Sequence, residues 1–134
     1  MKHPEFIKQT SYVIQRAYNF SNNGRKHGLT ELAQDINADG LKRRDIFEFG
    51  IRLASDGIDS EYIDKVLSNM IISEQNETVK RLQTIQKEAV LRIQEGINPW
   101  MVLNSLFSLL TEDEKKEVKS IIKDESLNDF FTMY

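Results

Sequence analysis

The sequence contains no cysteine, and it has only two prolines and six glycines among its 134 residues. Without cysteine the chain has no disulfide, no thiolate nucleophile and no cysteine-based zinc site. The scarcity of glycine and proline disfavours a β-rich or loop-rich fold. Hydrophobic residues make up 40% of the chain, which is enough to form a core. The composition therefore predicts one all-α domain over residues 1–134.

The sequence also lacks an excess of basic residues and a long apolar run. The 18 Lys and Arg residues are outnumbered by 21 Asp and Glu, so the net charge is −3. Because polyanions are bound through surplus positive charge, this disfavours nucleic-acid and membrane-surface binding. No apolar run approaches the roughly 20 residues that cross a bilayer, and residues 1–6 contain no signal-peptide core. We expect a cytoplasmic protein without membrane insertion.

Reactive side chains are scarce. The two histidines, His3 and His27, are not at metal-ligand spacing, and no Gly-rich phosphate loop or nucleophile elbow is present. Acidic residues are scattered along predicted helix faces, where a solvated surface is their ordinary role. We therefore expect a non-enzymatic protein with no catalytic residue, metal or cofactor.

Apolar residues recur at three- and four-residue steps, which predicts helices along most of the chain. Asp59 and Asn98 are predicted N-caps, and Thr111 with Glu114 forms a predicted capping box. The aromatic tail at 127–134 is expected to dock on the core. The predicted helices cover about 5–22, 28–37, 43–56, 60–95, a segment from Pro99, and 112–123.

Residues 60–95 contain neither glycine nor proline, which predicts one long central helix with short helices around it. The polar segment 73–78 divides two apolar stripes and leaves a turn as the alternative. A straight helix would be about 54 Å long, more than the width of such a domain, and would carry residues 79–123 away from residues 5–56. Two copies could exchange these halves, so the sequence predicts a domain-swapped homodimer.

Two basic clusters, Arg25-Lys26-His27 and Lys42-Arg43-Arg44, flank the predicted helix at 28–37. They are either ordinary solvated charge or a patch that complements an acidic protein surface. Residues 29–36 also look like the first helix of a helix-turn-helix, which makes a DNA-binding regulator the alternative function. The intervening turn is longer than the usual three or four residues, and the net acidic charge disfavours DNA.

Three segments carry a family resemblance: residues 25–32 (RKHGLTEL), residues 49–59 (FGIRLASDGID) and residues 88–99 (EAVLRIQEGINP). In this order they resemble three cytoplasmic segments of MotA-type flagellar stator proteins of the MotA/TolQ/ExbB family. The family motifs are Arg-Lys-x-Gly-x-x-x-Leu, Gly-x-x-Leu-x-x-Asp-Gly-x-Asp and Ile-Gln-x-Gly-x-Asn-Pro. The resemblance implies that residues 5–73 match the loop between spans two and three. Residues 79–123 match the segment after span four, and 124–134 form an unmatched tail.

The departures from the family limit what the resemblance implies. All four membrane spans are missing, so the chain has no ion path of its own. In the family, a basic residue and an acidic residue eight positions later contact charged groups of the rotor protein FliG. Arg25 matches the basic member, whereas Ala33 occupies the acidic position.

The resemblance implies an interaction module of bacterial motility that lies peripherally at the flagellar base. Its expected partners are a FliG-like rotor protein or a MotA-like stator part. The predicted partner-binding residues are Arg25, Lys26, Arg43, Arg44 and Trp100. Trp100 stands where the family pattern suggests a charged or polar residue, and a large indole there could anchor a contact.

Overall fold

The computed structural model describes residues 1–23, 28 and 45–134. Apart from Gly28, the predicted helix at 28–37 lies outside the described residues. No strand occurs within the described ranges, so the predicted all-α bundle is confirmed; no helix there is long and apolar enough to cross a membrane. The helices are α1 (His3–Asn23), α2 (Ile46–Ser55), α3 (Ser60–Ile72), α4 (Glu77–Glu95), α5 (Pro99–Phe107), α6 (Glu112–Ile121) and α7 (Asn128–Phe131), with a 3₁₀ turn at Glu125–Leu127 before α7.

Side-chain caps begin several of these helices. The Asp59 carboxylate accepts a backbone N–H of the first turn of α3 at 2.9 Å, and Asn98 does the same for α5 at 2.8 Å. Thr111 and Glu114 accept each other's backbone N–H groups at the start of α6. These contacts satisfy amide protons that have no acceptor within the helix, and they confirm the predicted caps.

The predicted continuous helix over 60–95 is wrong, because the chain turns at residues 73–76 between α3 and α4. The Glu74 carboxylate accepts the backbone N–H groups of Gln75 and Asn76, both at 3.0 Å. The Asn76 side chain then caps α4. Two polar side chains thus make a turn that contains neither glycine nor proline, by bonding nearby backbone groups in place of helical partners.

Helices α3 and α4 fold back on each other as an antiparallel hairpin. Lys87 Nζ of α4 lies 2.9 Å from Asp64 Oδ1 and 3.0 Å from Ser68 Oγ of α3. At the other end, Gln94 Nε2 donates to the Ile58 carbonyl at 2.8 Å. Because the chain returns, α1 packs against α4, α5 and α6 within one copy. The straight helix that motivated a domain swap is absent, and the homodimer stays a prediction without that support.

Helix α4 is the central element of the bundle and packs against α1, α2, α3 and α5. The largest buried side chains include Phe6, Phe47, Phe107 and Phe130, each at most 1% exposed. Phe130 belongs to the aromatic tail, so the predicted docking of this tail on the core is confirmed. The core therefore draws residues from both halves of the chain.

Helix α2 approaches α4 closely at Gly50. A Cβ atom at this position would lie 2.8 and 2.9 Å from the two methyl carbons of Val90 and 3.1 Å from Leu67 Cδ1. Gly50 belongs to the segment 49–59 and Val90 to the segment 88–99. Two of the three segments that carry the family resemblance therefore pack directly against each other.

We expect Gly50→Ala to lower the free energy of unfolding by about 1–3 kcal/mol, because the new methyl group overpacks the contact with Val90. Urea unfolding followed by circular dichroism measures this change. Val90→Ala removes both methyl groups that the new side chain would meet. The double variant should therefore be less destabilised than the sum of the two single variants. Strictly additive losses would contradict this account of the contact.

Candidate interaction surface

Trp100 is the single predicted partner-binding residue within the described part of the chain. Arg25, Lys26, Arg43 and Arg44 lie outside the described residues. Trp100 is in the first turn of α5, and 41% of its surface is exposed. Its role in binding stays a prediction.

The chain reverses sharply before Trp100. Gly96 ends α4 with φ of +69°, a left-handed conformation that glycine adopts without a steric penalty. Asn98 then caps α5, and Pro99 takes the first helical position, where its missing N–H costs no hydrogen bond. This order of residues ends one helix and starts the next within a short loop, and it places Trp100 near the outer surface.

The aromatic tail holds Trp100 in place. Its ring meets the edge of Phe130 at a centroid distance of 5.7 Å and an interplanar angle of 86°, a geometry that aromatic pairs favour. Phe130 also packs on Phe107 of α5 at 5.2 Å, and the Tyr134 hydroxyl donates to Asn104 Oδ1 at 2.6 Å. The tail thus packs along one edge of α5, and α1 and α4 pack on its inner side, which leaves an exposed side between them.

The open side of α5 carries no charge. Residues 96–111 contain no Asp, Glu, Lys or Arg, although such residues make up 29% of the chain. We call the exposed or half-exposed residues on this side the uncharged α5 face; they are Trp100, Met101, Asn104, Ser105 and Ser108. Protein interfaces are depleted in charge at their centre and enriched in tryptophan and methionine. This composition suits a contact with another protein.

Sequence reasoning identified Trp100 and missed its neighbours on this face. The absence of charge over 96–111 was visible in the sequence and could have indicated a contact surface. The exposure of Met101, at 56%, was not visible, because it depends on which sides of α5 the other helices and the tail cover. Side-chain periodicity predicts that a helix has an inner face, but not which neighbour covers it.

A partly buried ion pair fixes the loop that follows α5. The Arg81 guanidinium donates to both carboxylate oxygens of Glu114 at 2.6 and 2.8 Å and to the Leu109 carbonyl at 3.2 Å. It also lies 4.9 Å from the ring centroid of Phe6 in α1. Arg81 lowers the pKa of Glu114 to about 2. This bidentate contact joins α1, α4 and the loop between α5 and α6.

A surface cavity of about 510 Å³ lies where α6 meets the 3₁₀ turn. Its lining mixes the cations Lys119 and Lys123 with the carboxylates Asp124 and Glu125, beside the apolar ring of Phe131. Charges of both signs at one opening favour no single ligand chemistry. Over residues 1–23, 28 and 45–134, no three His, Cys, Asp or Glu side chains are grouped to hold a metal ion.

Comparisons of the chain with protein-family models, with curated proteins and with solved structures found no match. The resemblance to MotA-type proteins therefore depends on the three sequence segments alone.

We expect Glu114 to make the fold sensitive to acid. Its pKa of about 2 in the fold is below the ordinary glutamate value of 4.5. The ion pair therefore stabilises the fold fully above about pH 4.5, and this contribution is lost as the pH falls from there toward 2. Glu114→Gln should lower the free energy of unfolding at pH 7 by about 2 kcal/mol, less than for a fully buried pair, because Arg81 is 42% exposed.

Urea unfolding of wild type and Glu114→Gln at pH 7 and at pH 3 measures this difference. The difference in stability between the two proteins should be clearly smaller at pH 3 than at pH 7, because at pH 3 the unfolded chain protonates Glu114 while the fold still keeps it largely ionised. Glu112→Gln is the matched control, since its side chain is 80% exposed on the same helix. A difference between wild type and Glu114→Gln that is equal at both pH values would contradict the assignment.

Proposed function

We propose that this chain is a non-enzymatic interaction module, similar to the cytoplasmic parts of MotA-type stator proteins, that binds components of the flagellar motor. The observation that carries the proposal is the joint between segments 49–59 and 88–99. Gln94 of the second segment donates to the Ile58 carbonyl of the first at 2.8 Å. One turn away, Val90 packs against Gly50.

Several residues of the two motifs have a structural role in this joint or in the helix ends beside it. Gly50 allows α2 and α4 to approach closely, and Asp59 caps α3. Gln94 joins the ends of the hairpin, Gly96 ends α4, and Asn98 caps α5. Motif residues that meet in one joint support a shared origin with the MotA-type segments. Two chance matches in the sequence would have no reason to lie next to each other in the fold.

The direction of α3 and α4 also supports the proposal. The resemblance implies that in a stator the third span leaves the cytoplasm after segment 49–59 and the fourth returns before segment 88–99. The extensions of these spans are then antiparallel. Helices α3 and α4 are antiparallel and are joined by the turn at 73–76. In this proposal a short polar turn replaces the membrane-embedded part of that hairpin.

The proposed partner surface consists of the basic residues Arg25, Lys26, Arg43 and Arg44, together with Trp100. The basic residues would contact an acidic surface of a FliG-like rotor protein or of a MotA-like stator part. Complementary charge of this kind sets the orientation and the rate of association more than the final affinity. The module would then act as a scaffold or modulator of rotor–stator engagement, in the cytoplasm at the flagellar base.

We expect Arg25→Glu to weaken capture of a purified FliG-like rotor protein or MotA-like cytoplasmic domain roughly tenfold at low salt, because it reverses one charge of the complementary pair. Binding should weaken further as salt is raised. The measurement is a pull-down with titrated partner. Lys65→Glu is the matched control, because Lys65 is an exposed lysine of α3 and the substitution makes the same change in net charge.

Equal binding of wild type and Arg25→Glu at moderate salt would show that the basic cluster is ordinary solvated charge. Equal losses in both variants would show a general effect of net charge. A gel shift of duplex DNA by the wild-type chain, with affinity that falls steeply as salt rises, would favour the DNA-binding regulator instead.

A further inference from the structure

We propose that the uncharged α5 face binds a second copy of this chain, with the two α5 helices packed antiparallel about a two-fold axis near Asn104. The proposal concerns one defined surface and does not depend on the proposed motor function. It also differs from the domain-swapped dimer expected from the sequence, because each copy keeps the fold described above and the contact is between finished surfaces.

The lack of charge on this face favours a second copy as the occupant. A partner with a charged surface would have to remove its charges from water against a face that offers no opposite charge, which is unfavourable. In a two-fold dimer the same patch is present on both sides. Residues 96–111 carry no charge in either copy, and Lys115, which lies 5.1 Å from the Tyr134 ring beside Asn104, is paired with Glu112, so neither copy brings an unpaired charge to the contact. Each copy has a net charge of −3, and the resulting repulsion opposes contact through the charged parts of the surface. This leaves the uncharged α5 face as the favoured place of contact.

The shape of the face is self-complementary about Asn104. In an antiparallel pair, a residue four positions before the axis lies opposite the residue four positions after it in the other copy. Trp100, the largest side chain of the face, is then opposite the small side chain of Ser108. Ser105 is also small, which allows the helix axes to approach toward the 8–10 Å of ordinary helix packing. Each indole thus meets a surface with room for it.

The polar group at the axis is self-complementary as well. The Asn104 carbonyl oxygen accepts the Tyr134 hydroxyl at 2.6 Å, and a side-chain amide also carries two N–H donors. At a two-fold axis, each Asn104 amide can donate to the oxygen of the other while keeping its bond to Tyr134. A buried asparagine pair of this kind fixes the register of two facing helices.

The indole is already ordered before binding. Trp100 packs against the edge of Phe130, at a centroid distance of 5.7 Å, so little side-chain freedom is lost on association. Helix α5 has nine residues and is about 14 Å long. The face is therefore smaller than the roughly 800 Å² per partner of a standard interface. We expect a reversible dimer whose dissociation constant is on the order of micromolar.

Sedimentation velocity of the full chain over roughly 1 to 200 μM tests the dimer, since this range spans a micromolar equilibrium. The average mass of the wild type should rise from 15.6 kDa toward twice that value. Met101→Lys should remain a monomer throughout, because it places a cation on each copy within the contact. Ile72→Lys is the matched control, since Ile72 is 74% exposed on α3 beside the turn at 73–76.

A wild-type chain of monomer mass over the whole range would overturn the proposal. Met101→Lys that dimerises like the wild type, or Ile72→Lys that loses the dimer equally, would overturn it too. Circular dichroism of both variants should match that of the wild type, because both residues are at the surface. Since the motor proposal is tested by Arg25→Glu in a pull-down, either proposal can fail while the other stands.

The absence of cysteine allows a second and more local test. Asn104→Cys should form an intermolecular disulfide quickly under mild oxidation, because the axis brings the two Cα atoms near the roughly 4.4–6.8 Å that a disulfide spans. Ile72→Cys should cross-link much more slowly. Adding Met101→Lys to Asn104→Cys should slow the reaction to the rate of Ile72→Cys. Equal rates at positions 104 and 72 in the otherwise wild-type chain would contradict a two-fold axis at α5.

Discussion

The reversal of the chain at residues 73–76 is the constraint on which the rest of the structure depends. It is held by the Glu74 carboxylate, which accepts two consecutive backbone N–H groups, and by Asn76, which begins the next helix. Because of this turn, α4 runs back along α3 and becomes the central helix, in contact with α1, α2, α3 and α5. Without it, the second half of the chain would point away from the first, and each half would expose an apolar face.

Once α4 has returned, two kinds of contact determine how the neighbouring helices sit on it. At Gly50 the absence of a side chain lets α2 come close. Near the opposite end of α4, Arg81 reaches across to Glu114 and to the Leu109 carbonyl. The first contact depends on a missing methyl group and the second on a bidentate ion pair. Both act on α4, and the second also fixes the loop that follows α5.

Local chemistry explains which parts of this fold could be predicted from the sequence. The caps at Asp59 and Asn98, the capping box at Thr111 and the apolar stripes depend on residues a few positions apart. The turn at 73–76 was only the alternative to a continuous helix, because a carboxylate, rather than glycine or proline, bonds its backbone. The exposure of Met101 was missed because it depends on how α1, α4 and the aromatic tail, all distant in sequence, pack around α5. The predicted basic residues lie outside the described part of the chain, so Trp100 is the one predicted binding residue whose position the structure gives.

The contact between Trp100 and Phe130 gives the protein a built-in optical probe. Trp100 is the single tryptophan of the chain, and its ring meets a residue of the aromatic tail at an interplanar angle of 86°. An indole held in a fixed, asymmetric aromatic surrounding produces near-ultraviolet circular dichroism that disappears when the packing is lost. The near-ultraviolet circular dichroism of Trp100 therefore reports on the attachment of the tail, while far-ultraviolet circular dichroism reports on the helices. The two signals separate release of the tail from unfolding of the bundle.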